Sequence, residues 1–135
     1  MKQLEIKHLK KYFPVSDGIL HAVDDVTLSV DTGETLGVVG ESGCGKSTLG
    51  KTVLRLTEPT SGEVWFEGQD ISKLSRKEFK HLRTEMQMIF QDPFSSLDPR
   101  MSVSQLIAEP LIIYKKTSGR QETEQKVRRL MDTVG

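Results

Sequence analysis

An α/β fold is what this sequence predicts, and three observations carry that prediction. From Leu4 to about Val39 apolar and polar residues alternate as they do in strands; a glycine-rich loop then joins a short apolar run to a segment of helical period; and beyond Pro93 paired helix-start signals replace strand character.

Taken in order, LEIKHL and AVDDVTLSV alternate as strands with one solvated face should. The turn DTG, Asp31 to Gly33, leads into ETLGVVG, where Leu36 to Val39 offers no polar face. Such a run fits a strand buried on both sides of a parallel sheet. A helix should follow, because Leu49, Val53 and Leu56 recur at i, i+4 and i+7, with Pro59 and Gly62 closing it. Gly50 within it suggests close packing against the sheet. EVWFEGQD reads as a short strand ending in a glycine turn. Ser75 and Glu78 then form a capping box for a helix carrying Phe79 and Leu82, and MQMIF, Met86 to Phe90, is expected to be another strand. Pro93 and Pro99 break the chain. Ser102 with Gln105, and Ser118 with Gln121, mark two further helix starts. In the last helix Val127, Leu130, Met131 and Val134 form one stripe, with Arg128 and Arg129 outside it and Gly135 placed as a C-cap.

Composition limits the function. The chain has 135 residues, room for one domain or part of a larger one. Its 19 Lys and Arg balance 19 Asp and Glu, so no overall field favours nucleic acid, and an anion must be bound locally. The single cysteine, Cys44, excludes an internal disulfide framework and suits a reducing cytoplasm, and no Cys/His cluster has zinc spacing. MKQLEIKHLKKYF lacks the apolar stretch of a signal peptide, and no run of ~18 apolar residues occurs. Membrane contact would therefore go through a partner.

The residues with chemistry lie in GESGCGKST, Gly40 to Thr48. Gly40, Gly45, Lys46 and Ser47 fit G-x-x-x-x-G-K-[ST], the phosphate-binding P-loop. Glycines let the backbone curl so that the N–H groups of Glu41, Ser42, Gly43, Cys44 and Gly45 can turn toward phosphate oxygens. Lys46 supplies a compact charge for the β and γ phosphates, the Ser47 hydroxyl can enter the octahedral shell of Mg²⁺, and Thr48 can reach another oxygen. The helix starting near Lys46 adds the positive end of its dipole. Cys44 occupies an unrestricted motif position, so its N–H matters more than its sulfur. His8, His21 and His81 are scattered, with no Ser or Cys partner at a recognisable spacing, and no catalysis is assigned to them. The basic residues between Lys73 and Arg83 alternate with Glu78 as on a solvated helix face, and Trp65 reads as packing.

Gly33 to Gly68, together with Met86 to Leu111 (MQMIFQDPFSSLDPRMSVSQLIAEPL), resembles the ATP-binding subunit of an ABC importer, most closely the oligopeptide and dipeptide permease branch. The resemblance implies a P-loop ATPase with an N-terminal antiparallel β subdomain, a partial parallel core and the start of a helical subdomain. It puts residues 1–94 in the β subdomain and P-loop core and residues 95–135 in the helical part. Gln91, in IFQDP, matches the Q-loop glutamine that reaches Mg²⁺ and the attacking water; a neutral amide can donate and accept there while Lys46 and the metal carry the charge. Tyr12, in LKKYFPV, matches the aromatic position that stacks on adenine, with Phe13 as a competing ring. The implied cofactors are ATP and Mg²⁺. The implied partners are a second ATP-binding subunit, identical or not, and transmembrane permease subunits, with an extracellular solute-binding protein acting indirectly. The implied place is peripheral, on the cytoplasmic face of the plasma membrane.

Motifs that this family places downstream, the LSGGQ-type signature, the Walker B aspartate, the catalytic glutamate and the switch histidine, do not occur in the sequence. The chain therefore looks like an N-terminal fragment, expected to bind nucleotide without turning it over and to associate or partly unfold around an exposed sheet edge. Two other readings stay open on the residues alone: a soluble P-loop kinase or GTPase, and a non-catalytic nucleotide-responsive binding module.

Overall fold

The computed structural model describes all 135 residues, which form two compact units, Met1–Met88 and Ile89–Gly135. In the first unit two long strands, β1 (Lys2–Val15) and β2 (Gly18–Asp31), form an antiparallel hairpin. Helix α1 (Lys46–Val53) follows, then β3 (Ser61–Phe66), β4 (Gln69–Asp70) and α2 (Arg76–Leu82). The sheet runs β2-β1-β3-β4 and every pairing is antiparallel.

Alternation explains the core. Leu4 and Ile6 of β1 stand opposite Phe66 and Val64 of β3 and opposite Val30 and Leu28 of β2, so one face of the sheet is apolar. Ile6, Leu9, Val23, Val64 and Phe66 from that face are buried with Val53 of α1, Ile71, and Phe79 of α2. Each such side chain contributes roughly 1.5–3 kcal/mol of burial. Irregularities of register interrupt the β1–β2 ladder. His8 has φ +50 and faces Asp25 at φ +56, with His8 Nδ1 2.7 Å from Asp25 Oδ1. Across from it Gly62, at φ +95, must be glycine, because a Cβ there would lie 2.4 Å from the His8 carbonyl oxygen.

The capping box forms as expected: Ser75 Oγ accepts from Glu78 N–H and the Glu78 carboxylate accepts from Ser75 N–H at 2.8 Å. Arg55, just past α1, donates to the carbonyls of Ile71 and Leu74, pairs with Glu58 and stacks on Phe79, tying α1 to the segment between β4 and α2.

Two expected strands are absent. Leu36–Val39 is irregular and Val39 is 93% exposed, and Met86–Phe90 is also irregular. A parallel strand exists only through lateral hydrogen bonds, and neither run is paired in the β2-β1-β3-β4 sheet. The partial parallel core is thus not formed as sheet within these residues. Leu56 falls beyond the end of α1 and is exposed. Gly50 is not forced by packing, since an added Cβ would meet only Met88 Cε at 3.7 Å, an ordinary contact.

In the second unit α3 (Pro93–Ser96), α4 (Val103–Ile113) and α5 (Arg120–Val134) follow one another, with α4 packed on α5. The Ser102–Gln105 box caps α4. The start of α5 is shifted: Ser118 N–H donates to Glu122 at 2.7 Å rather than pairing with Gln121, and Gly119 is the N-cap. Of the stripe expected on α5, Val127 is buried whereas Leu130, Met131 and Val134 are exposed. No helix is long and apolar enough to cross a membrane.

Candidate functional site

The glycine loop enters α1 at Lys46. Gly43 and Gly45 adopt left-handed backbone, φ +79 and +103. At Gly45 glycine is required twice, because a Cβ would also stand 2.1 Å from the Ala22 carbonyl oxygen of β2. At Gly40 a Cβ would clash only with the Cys44 thiol, at 2.6 Å, and a thiol can turn away. Between them Glu41 and Ser42 are exposed, and Cys44 N–H donates to the Glu41 carbonyl at 3.2 Å, closing the turn.

Lys46 lies inside this arc. Its ammonium donates to the Gly40 and Glu41 carbonyls at 2.8 and 2.6 Å, with Cys44 Sγ at 3.5 Å. No acidic residue stands in the first turn of α1 and no side chain caps it, so nothing negative competes for its free N–H groups. The hydroxyls of Ser47, exposed, and Thr48, half-buried, belong to the same turn. A cationic side chain, uncapped amides and hydroxyls around a helix N-terminus fit a phosphate group. No cluster of three His, Cys, Asp or Glu side chains is placed to hold a metal ion.

Tyr12 of β1 stands opposite His21 of β2, and the two rings stack with centroids 3.9 Å apart and planes 12° from parallel. The Tyr12 hydroxyl donates to Asp24 Oδ1 at 2.5 Å, and Asp24 Oδ2 is 3.5 Å from His21 Nδ1. That hydrogen bond raises the Tyr12 phenol above its ordinary value, and it holds the Asp24 carboxyl below its own despite partial desolvation. Phe13, the competing ring, carries Lys11 Nζ 4.8 Å from its centroid. His21 and Asp24 were not legible as partners of Tyr12. The only signal would have been an extra residue in β2 relative to β1, and alternation alone does not reveal it.

The remaining candidate, Gln91, lies in the second unit, exposed, immediately before Asp92, whose carboxylate caps α3 by accepting from Phe94 and Ser95 N–H.

A family model described as ABC transporter matches residues 23–135. The oligopeptide transport ATP-binding protein OppF of Bacillus subtilis (strain 168) is 51% identical over 135 residues, covering 99% of this chain and 44% of that protein. OppF of Escherichia coli (strain K12) is 45% identical over 141 residues, covering 98% and 42%. The chain thus spans less than half the length of these relatives. Among solved structures, the dimeric post-hydrolysis state of the ATP-binding cassette MJ0796, bound to ADP and Pi, superposes with a TM-score of 0.79 at 25% identity. That superposition covers 93% of this chain and 54% of the cassette. With its P-loop at the head of α1, an antiparallel sheet beside it and a family match over most of its length, the chain belongs to the ABC transporter family.

Proposed function

We propose that this chain is the ATP-binding portion of a subunit that energises import of oligopeptides or dipeptides. The observation that carries the reading is the P-loop itself: Lys46 within an arc of left-handed glycines at a helix N-terminus free of acidic residues. Resemblance to OppF supports the cargo class, and the cassette bound to ADP and Pi supports the nucleotide.

In this reading the amides from Glu41 to Gly45 and the Lys46 ammonium bind the phosphates, Thr48 adds an oxygen contact, and Ser47 and Gln91 hold Mg²⁺. Tyr12 stacks on adenine. Bound Mg²⁺ would neutralise charge on the transferring phosphoryl group, and Gln91 would orient the attacking water in line with the γ-phosphate. Residues 1–94 would form the β subdomain and P-loop core and residues 95–135 the start of a helical subdomain. Two such ATP-binding subunits, identical or different, would pair on the cytoplasmic side of the plasma membrane beneath permease subunits, with a solute-binding protein acting from outside. Nucleic acid has no part in this scheme, in keeping with the balanced charge. These 135 residues by themselves would bind nucleotide without turning it over.

The test is Mg-ATP affinity and hydrolysis by the full-length protein with and without Lys46→Ala. Removing a charged hydrogen-bond donor should weaken binding roughly 10- to 100-fold and abolish turnover. Unchanged affinity would end the P-loop reading. ATP hydrolysis without peptide uptake in permease-containing vesicles would end the cargo assignment alone.

A further inference from the structure

Between Lys11 and Tyr12 the ladder breaks step, and there strand β2 holds one residue more than β1 accommodates. Lys11 stands opposite Val23 and Tyr12 opposite His21, so Ala22 bulges out of the ladder. In a regular strand residues three apart point to opposite faces. The extra residue reverses that parity, and His21 and Asp24 come to lie together on the face of Tyr12. The phenol is thus held at one face by the imidazole, 3.9 Å away and nearly parallel, and at its tip by the carboxylate. The same bulged residue turns its carbonyl onto Gly45, where no Cβ fits. The irregularity at Ala22 therefore brings His21 onto the face of Tyr12 beside the phosphate loop, and Asp24 lies at the next irregularity of β2, where two residues stand against Lys10.

We propose that His21 and Asp24 are positioning residues for the nucleobase: they hold Tyr12 as a preorganised stacking surface, and the base takes the ring face away from His21. This rests on the reading of Tyr12 as the base-stacking ring. A ring fixed before the ligand arrives loses little torsional freedom on binding, so more of the stacking energy appears as affinity. Because every base offers a π-face, the surface rewards a base without selecting strongly among bases.

The experiment compares Mg-ATP with Mg-tripolyphosphate, which offers phosphates without a base, by calorimetric titration of the full-length protein. His21 is half exposed, so neither His21→Leu nor His21→Phe removes core. His21→Leu should weaken ATP about fivefold and leave tripolyphosphate unchanged, while His21→Phe, which restores a ring, should bind ATP as the wild type does. Asp24→Ala should cost about twofold, again for ATP only. ATP affinity in His21→Leu within about twofold of wild type, or a parallel loss of both ligands, overturns the inference. Tyr12→Ala separates the two levels. If it leaves ATP binding intact, the base-stacking reading fails and takes this inference with it; if it weakens ATP while His21→Leu does not, only the positioning role fails.

Discussion

The two units bury their apolar residues very differently. In Met1–Met88 eight apolar side chains from three strands, two helices and a connecting segment meet in one core. In Ile89–Gly135 Val127 is the one fully buried apolar residue, while Phe94, Val103, Ile112 and Val134 are exposed. An open groove of about 750 Å³ runs between α4 and α5, lined by Ala108, Ile112 and Val127. A sheet in register aligns its apolar face in one step, so a helix laid on it closes a core. Two helices share only a seam, and their other apolar positions stay uncovered until another layer meets them. Stability should therefore be concentrated in the first unit, and the helical unit should open more readily.

Deep truncation in each unit is the strongest way to break this comparison. Phe79→Ala removes a buried ring flanked by the Arg55 and Arg83 guanidiniums, and should cost roughly 3–5 kcal/mol by denaturant titration. Val127→Ala should cost about 1–2 kcal/mol, seen mainly as faster amide exchange in α4 and α5. Equal costs at the two sites would refute the contrast. Cap removal sharpens it, because the two units carry the same local device: Ser75→Ala and Ser102→Ala should each cost about 1 kcal/mol. Exchange should rise locally around α2 but spread across the whole helical unit for Ser102→Ala.

The smallest effect is that of pH. Hydrogen bonds from Ser75 and Ser118 hold Glu78 and Glu122 below the ordinary carboxyl value of 4.5. Groups with depressed folded values stabilise above the unfolded value and lose that contribution as pH falls through the folded one. Helix content should accordingly decline slightly below pH 4.5, and Glu122→Gln should remove the part belonging to α5. A decline of the same size in that variant would show that Glu122 plays no part.

Much of this arrangement was legible in the sequence where the signal is local. The boxes Ser75–Glu78 and Ser102–Gln105 cap helices because a cap needs only three residues of spacing. The box expected at Ser118 slipped by one residue because Glu122, next to Gln121, reaches Ser118 instead. Leu36–Val39 and Met86–Phe90 failed as strands because strand formation depends on neighbours, not on a run's own composition. The glycine loop was readable as a motif, but the grip of Lys46 on the Gly40 and Glu41 carbonyls was not. His21 was illegible for a deeper reason: the bulge at Ala22 reverses the alternation between His21 and Asp24, and nothing in the residues themselves marks it.

Arg55 gives the loop a mechanical property. α1 is eight residues long, about 12 Å. At one end Gly45 is wedged against the Ala22 carbonyl; just past the other, the Arg55 guanidinium, only 10% exposed, grips the carbonyls of Ile71 and Leu74. The helix is a short beam fixed at both supports. A load applied at Lys46 or Ser47 is carried into β2 at Ala22 and into the segment between β4 and α2 at Arg55 instead of being lost in a swivel of the helix.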